Sequence, residues 1–106
     1  MTYRFKTRKM ADVVMVGANG DHLMRLLGRE PSAKGVIEAA DMAAAIAALE
    51  RAVVEDEADT QRRREEAELR GEALPSAAVS LRARVWPLIE MMRQCQRDGM
   101  PITWGV

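Results

Sequence analysis

His22 and Cys95 are the only imidazole and the only thiol in the chain. A cysteine–histidine nucleophilic pair needs both in one pocket. His22 follows Asp21 at the start of a predicted helix. Cys95 falls on the apolar face of another, where a thiol behaves as a small hydrophobe. The pattern therefore predicts no catalytic residue, and the chain reads as non-enzymatic. Structural zinc takes four clustered thiol or imidazole ligands, and two such residues cannot supply them. The carboxylates between Glu55 and Glu68 lack the alternating oxygen donors and central glycine of a calcium loop. No metal or other cofactor is predicted.

Two further groupings remain. The stretch VMVGANGDHLMRL has the order strand, glycine turn, helix, and Gly17, Asn19, Gly20 and His22 lie where such a turn cradles an anion. It carries neither a GxGxxG pattern nor a following Lys-Ser or Lys-Thr, and Asp21 would repel an anion. A capped turn is the simpler reading; weak binding of an anion, nucleotide or small ligand is the alternative. On a helical wheel Arg82, Trp86, Arg93 and Arg97 gather opposite the Leu81-Val85-Leu88-Met92 stripe, with Glu90 beside them. An indole among guanidiniums suits a protein interface. It equally suits internal packing, with Arg82 over Trp86 as an i,i+4 cation–π pair covered by a neighbouring helix.

The elements that position these groups follow from periodicity. Tyr3 and Phe5 alternate with Arg4 and Lys6 over Thr2 to Thr7, a strand with one wet face. Asp12 to Val16 is apolar on both faces, which suits an inner strand, and the two runs pair as a hairpin. Asn19 or Asp21 caps a short helix carrying Leu23, Leu26 and Leu27, stopped by Gly28. Val36 to Glu38 is the weakest strand signal. Asp41 caps a second helix, on which Met42, Ile46, Leu49 and Val53 form one face. From Glu55 to Arg70 the chain holds seven acids and four bases, with Leu69 its only large apolar residue. Helical throughout, Asp41 to Arg70 spans about 45 Å, so this end must project, bend or melt. Residues 55–78 read as a charged helical extension and linker, with Pro75 in the linker. Ser80 caps a third helix, in which Pro87 removes a donor and predicts a kink or a restart. Gly99 and Pro101 end it. Ile102, Trp104 and Val106 then alternate with Thr103 and Gly105. This run completes the sheet as a strand or serves as a docking tail.

One domain over residues 1–106 is expected: α+β, a small mostly antiparallel sheet (N-terminal hairpin plus C-terminal strand) with about three helices packed on one face. With four aromatic residues and eight methionines, methionine must fill much of the core.

The segments ADVVMVGANGDHLMRLLG, GVIEAADMAAAIAALE, SLRARVWPLIEMMRQ and ITWGV, in that order, resemble a family of small proteobacterial proteins described as a domain of unknown function (family 1840). The resemblance implies a bacterial cytoplasmic protein and carries no functional residue with it.

Composition narrows the partners. Sixteen basic and sixteen acidic residues cancel, which removes the electrostatic drive for nucleic acid binding. Arg4, Lys6, Arg8 and Lys9 form a basic segment, but Tyr3 and Phe5 lie on its opposite face and cannot offer stacking beside it. Edge-strand charges that block aggregation explain it better. No apolar run reaches membrane-spanning length. A lone cysteine suits a reducing compartment, and MTYRFKTRKM lacks the apolar core of a secretory signal. The expectation is a cytoplasmic interaction module whose partner is another protein or a second copy, with no membrane contact.

Overall fold

The computed structural model describes residues 2–72 and 80–105. Strands β1 (Tyr3–Thr7) and β2 (Met10–Met15) form the predicted hairpin. Helix α1 (Gly17–Leu26), strand β3 (Gly35–Ile37) and a 3₁₀ turn (Ala39–Asp41) lead into helix α2 (Met42–Arg70). Helix α3 (Leu81–Asp98) and strand β4 (Ile102–Trp104) complete the order. The linker expected over 71–78 and the alternating position Val106 fall largely outside the described residues.

The four strands are antiparallel in the order β2-β1-β4-β3. Ile102–Trp104 is thus an integral strand, placed between β1 and β3. This corrects two expectations. The charged strand β1 is internal, and the apolar β2 is an edge. The cause is the open face of the sheet. All the helices lie on the side of Tyr3, Phe5, Ile37, Ile102 and Trp104, which are buried. The other side is wet, so Arg4 and Lys6 sit comfortably on an inner strand. The two-faced apolar character of β2 does not mean burial on both faces: Met15 is buried, whereas Val14 is 51% and Val16 62% exposed.

Helix α3 carries the core. Leu81, Val85, Leu88, Ile89, Met91, Met92 and Cys95 are all buried, a wider face than the stripe predicted, because α3 has the sheet on one side and α2 on the other. Ser80 caps it, its hydroxyl accepting from the Ala83 amide at 3.1 Å. Pro87 neither ends nor restarts the helix. Both Pro87 and Ala83, whose carbonyl the ring deprives of a donor, are exposed, so water can serve that carbonyl. On α2, Met42, Ala45, Ile46, Leu49 and Val53 are buried and nothing beyond Val53 is. The helix nevertheless continues to Arg70. Asp59 pairs with Arg62 at 2.8 Å and with Arg63, Gln61 donates to Glu65 at 3.1 Å, and Gly71 closes the end in the left-handed conformation. Residues 58–70 therefore project by roughly 20 Å, and the molecule measures 50 × 27 × 23 Å.

Helix α1 begins at Gly17, earlier than expected, with Val16 rather than Asn19 or Asp21 at its N-cap. Asp41 holds the N-cap position of α2 but makes no side-chain capping bond. Gly20 shows why α1 sits where it does. A β-carbon there would collide with the Tyr3 ring, as one at Gly35 would with the Trp104 ring. Gly20→Ala should lower stability by about 1–3 kcal/mol through overpacking, despite its better helix propensity, as read from urea denaturation.

Candidate functional site

The chemistry-bearing residues do not converge. His22 is exposed on α1. Cys95 is buried, its thiol donating to the Thr7 hydroxyl at 3.2 Å. Among the described residues no three histidine, cysteine or acidic side chains form a group that could hold a metal.

The segment 17–22 is helix, not an open turn. Gly17 and Asn19 are half-buried and Gly20 is buried beneath Tyr3. The Asn19 carbonyl oxygen accepts from Arg84 of α3 at 2.9 Å. Asp21 accepts the Tyr3 hydroxyl proton at 2.5 Å. These side chains lock α1 onto the sheet and onto α3, and the Nε of the same Arg84 is buried without a hydrogen-bond partner. Nothing in the sequence signals the Tyr3–Asp21 or Asn19–Arg84 pairs, whose members lie 18 and 65 residues apart.

Three of the four residues in the arginine–tryptophan group do come together. Arg82 lies 5.4 Å and Arg93 5.1 Å from the Trp86 ring centroid. Each guanidinium also reaches across to α2. Arg82 donates to Glu57 at 2.7 Å, and Arg93 to Glu50 at 3.3 Å and to its neighbour Glu90 at 2.7 Å. Glu50 and Glu57 are two turns apart and so share a face. Their partners run in the opposite order along α3, which makes the two helices antiparallel. The result is a polar clasp across the helix pair, with Trp86 36% exposed at its centre. Arg97 stands apart and donates to Gln94 at 2.8 Å.

Electrostatics follow these contacts. The Asp21 carboxylate, by holding the phenolic proton, raises the Tyr3 pKa above its ordinary value, with burial adding to the effect. The Arg82 guanidinium holds the Glu57 carboxyl below its usual range.

The sheet leaves a face and an edge uncovered. Its open face presents Arg4, Lys6, Val14, Val36 and Thr103, with Arg4 bridged to Asp12 at 3.5 Å. The outer side of β2 has no neighbouring strand. Six residues long, it carries a single charge, Asp12, and no proline or lysine. The bulge of the hairpin falls between Phe5 and Thr7, so the Val13–Met15 stretch stays regular. Edges of this length are ordinarily blunted by charge, proline or distortion. No helix among the described residues is long and apolar enough to cross a membrane.

Comparison with known proteins adds a family and no chemistry. The profile described as "Domain of unknown function (DUF1840)" matches residues 1–104. No curated protein and no solved structure matches.

Two outcomes test this geometry. Tyr3→Phe should lose about 1–2 kcal/mol at neutral pH, since a half-buried carboxylate then lacks its donor. Because the folded-state pKa of Tyr3 is raised, its contribution is complete below about pH 10, the unfolded tyrosine value. The deficit of the variant should therefore shrink only as the pH climbs through the folded value, as read from urea midpoints at several pH values. For Glu57 the sign reverses. Its lowered pKa contributes stability above the ordinary glutamate value, about 4.5, and that contribution is lost as the pH falls through the folded value. Glu57→Gln should lower the melting temperature at pH 7 and match the parent in strong acid.

Proposed function

We propose that this chain, which belongs to the DUF1840 family, is a small non-enzymatic interaction module of the bacterial cytoplasm whose partner is a second copy of itself. The observation that carries the reading is the β2 edge, open along its outer side with Val14 and Val16 exposed. Two β2 strands meeting antiparallel about a twofold axis would extend the four-stranded sheet into one of eight, by an isologous contact in which each copy supplies the same edge. Main-chain hydrogen bonds provide the attraction, and valine packing on the open face fixes the register. A single cysteine, buried and without a disulfide partner in the chain, supports a reducing compartment.

The projecting part of α2 is the competing surface. It offers Leu69, 88% exposed, as its one large apolar side chain among charged residues. A helical seam needs apolar residues at every heptad, and residues 58–70 do not supply them. Strand pairing alone buries less than the roughly 1,200 Å² of stable complexes, so the dimer is weak and concentration-dependent.

Sedimentation velocity across a concentration series tests this. The parent should shift from monomer to dimer. Val14→Lys, a charge on the free edge, should weaken the dimer at least about tenfold without unfolding the monomer. Leu69→Lys should leave association unchanged. A parent that stays monomeric throughout, or a dimer lost in Leu69→Lys and kept in Val14→Lys, rejects the reading.

A further inference from the structure

The geometry points to a binding site for a small phosphate or carboxylate with an apolar body, in a depression of about 620 Å³ at the end of the sheet where the β1–β2 turn meets the approach to β4. Lys6, Thr7, Arg8, Met100, Pro101 and Thr103 line it. This reading stands apart from self-association and uses none of the β2 edge.

Two cations, Lys6 and Arg8, border this depression. Arg4, Arg62, Arg63, Arg82 and Arg93 each have a carboxylate within reach. Lys6, Arg8 and Lys9, all on one hairpin, have none among the described residues, as is true of several cations elsewhere, but Lys6 and Arg8 alone among the cations line this depression. A neutral chain thus gathers three uncompensated cations at one end of its sheet. Lys6 stands directly opposite Thr103 in the ladder, and the Thr103 hydroxyl has no protein partner among the described residues. One anionic group set between Lys6 and Arg8 would take two charge-assisted bonds, and Thr103 could add a neutral one.

The opposite wall is apolar and fixed. Thr7 donates to the Pro101 carbonyl at 3.1 Å while accepting from Cys95, which ties the wall to β1. Pro101 is exposed and Met100 half-buried, so a ring or short alkyl group beside the anion would lie against them. The smaller depression, of about 300 Å³, offers Arg29 instead. That guanidinium is already engaged, donating to the Val36 carbonyl at 3.0 Å and lying 5.9 Å from the Trp104 ring centroid.

Titration of the isotope-labelled protein with inorganic phosphate, benzoate and phenyl phosphate, followed by amide chemical shifts, tests the site. The shifts should centre on residues 6–8 and 100–103. Phenyl phosphate should bind more tightly than inorganic phosphate, and comparison with benzoate separates phosphate from carboxylate preference. Lys6→Gln combined with Arg8→Gln should weaken binding about tenfold or more at unchanged melting temperature, whereas Arg64→Gln, an unpaired cation elsewhere, should not. Shifts scattered over other arginines, no saturable shift at all, equal affinity for phosphate and phenyl phosphate, or binding unchanged in the double variant would each overturn the proposal.

Discussion

Phe5 lies between two other rings. Tyr3 is stacked 6.0 Å away and nearly parallel, and Trp104 meets Phe5 edge-on at 5.7 Å. Three of the four aromatic residues of the chain thus form one row on the buried side of the sheet, joining β1 to β4. Losing a buried ring of this kind costs about 3–5 kcal/mol, and each ring here also holds something beyond itself. Tyr3 fixes α1 through Gly20 and Asp21. Trp104 donates to the Ser32 carbonyl at 3.0 Å and presses on Gly35, which seats β3. The row also brings together strands nearly a hundred residues apart, a non-local pairing that is slow to form.

From that row follows the one-sidedness of the molecule. The aromatic face draws in α3, and α2 packs on α3. Methionines fill the irregular space between them: five of the seven among the described residues are buried, consistent with the adaptability of that side chain. The helices have no reason to cover the other face, which is left to Arg4, Lys6, Val14 and Thr103. The apolar contact on α2 stops at Val53, and beyond it the Glu57–Arg82 bridge is the last link to α3. On the helical side even the exposed tryptophan has its two flanking arginines tied to carboxylates. The other side keeps an unpaired strand edge and unpaired cations.

The sequence made much of this legible. Period-two alternation located β1 and β4, the Met42-Ile46-Leu49-Val53 spacing located the buried face of α2, and Ser80 marked the start of α3. Local signals of this kind reflect one residue's neighbours along the chain. Strand order is a different matter. Val13, Val14 and Val16 look the same whether β2 is flanked on both sides or on one, because a strand records the polarity of its faces but not the presence of a partner at its edge. Asn19 and Asp21 are good capping residues and so suggest a later start for α1 than the observed Gly17, but here they serve α3 and Tyr3 instead. The arginine–tryptophan group was visible on the wheel, but its carboxylate partners on α2 were not, since they lie 25 and 43 residues away.

The central claim is that the protein meets its partner through the sheet and not through the projecting helix. Amide hydrogen exchange measured at low and high protein concentration addresses it most directly. The account predicts that exchange over β2 slows as concentration rises, while residues 58–70 exchange at the same rate throughout. Protection growing over 58–70 with β2 unaffected would contradict it.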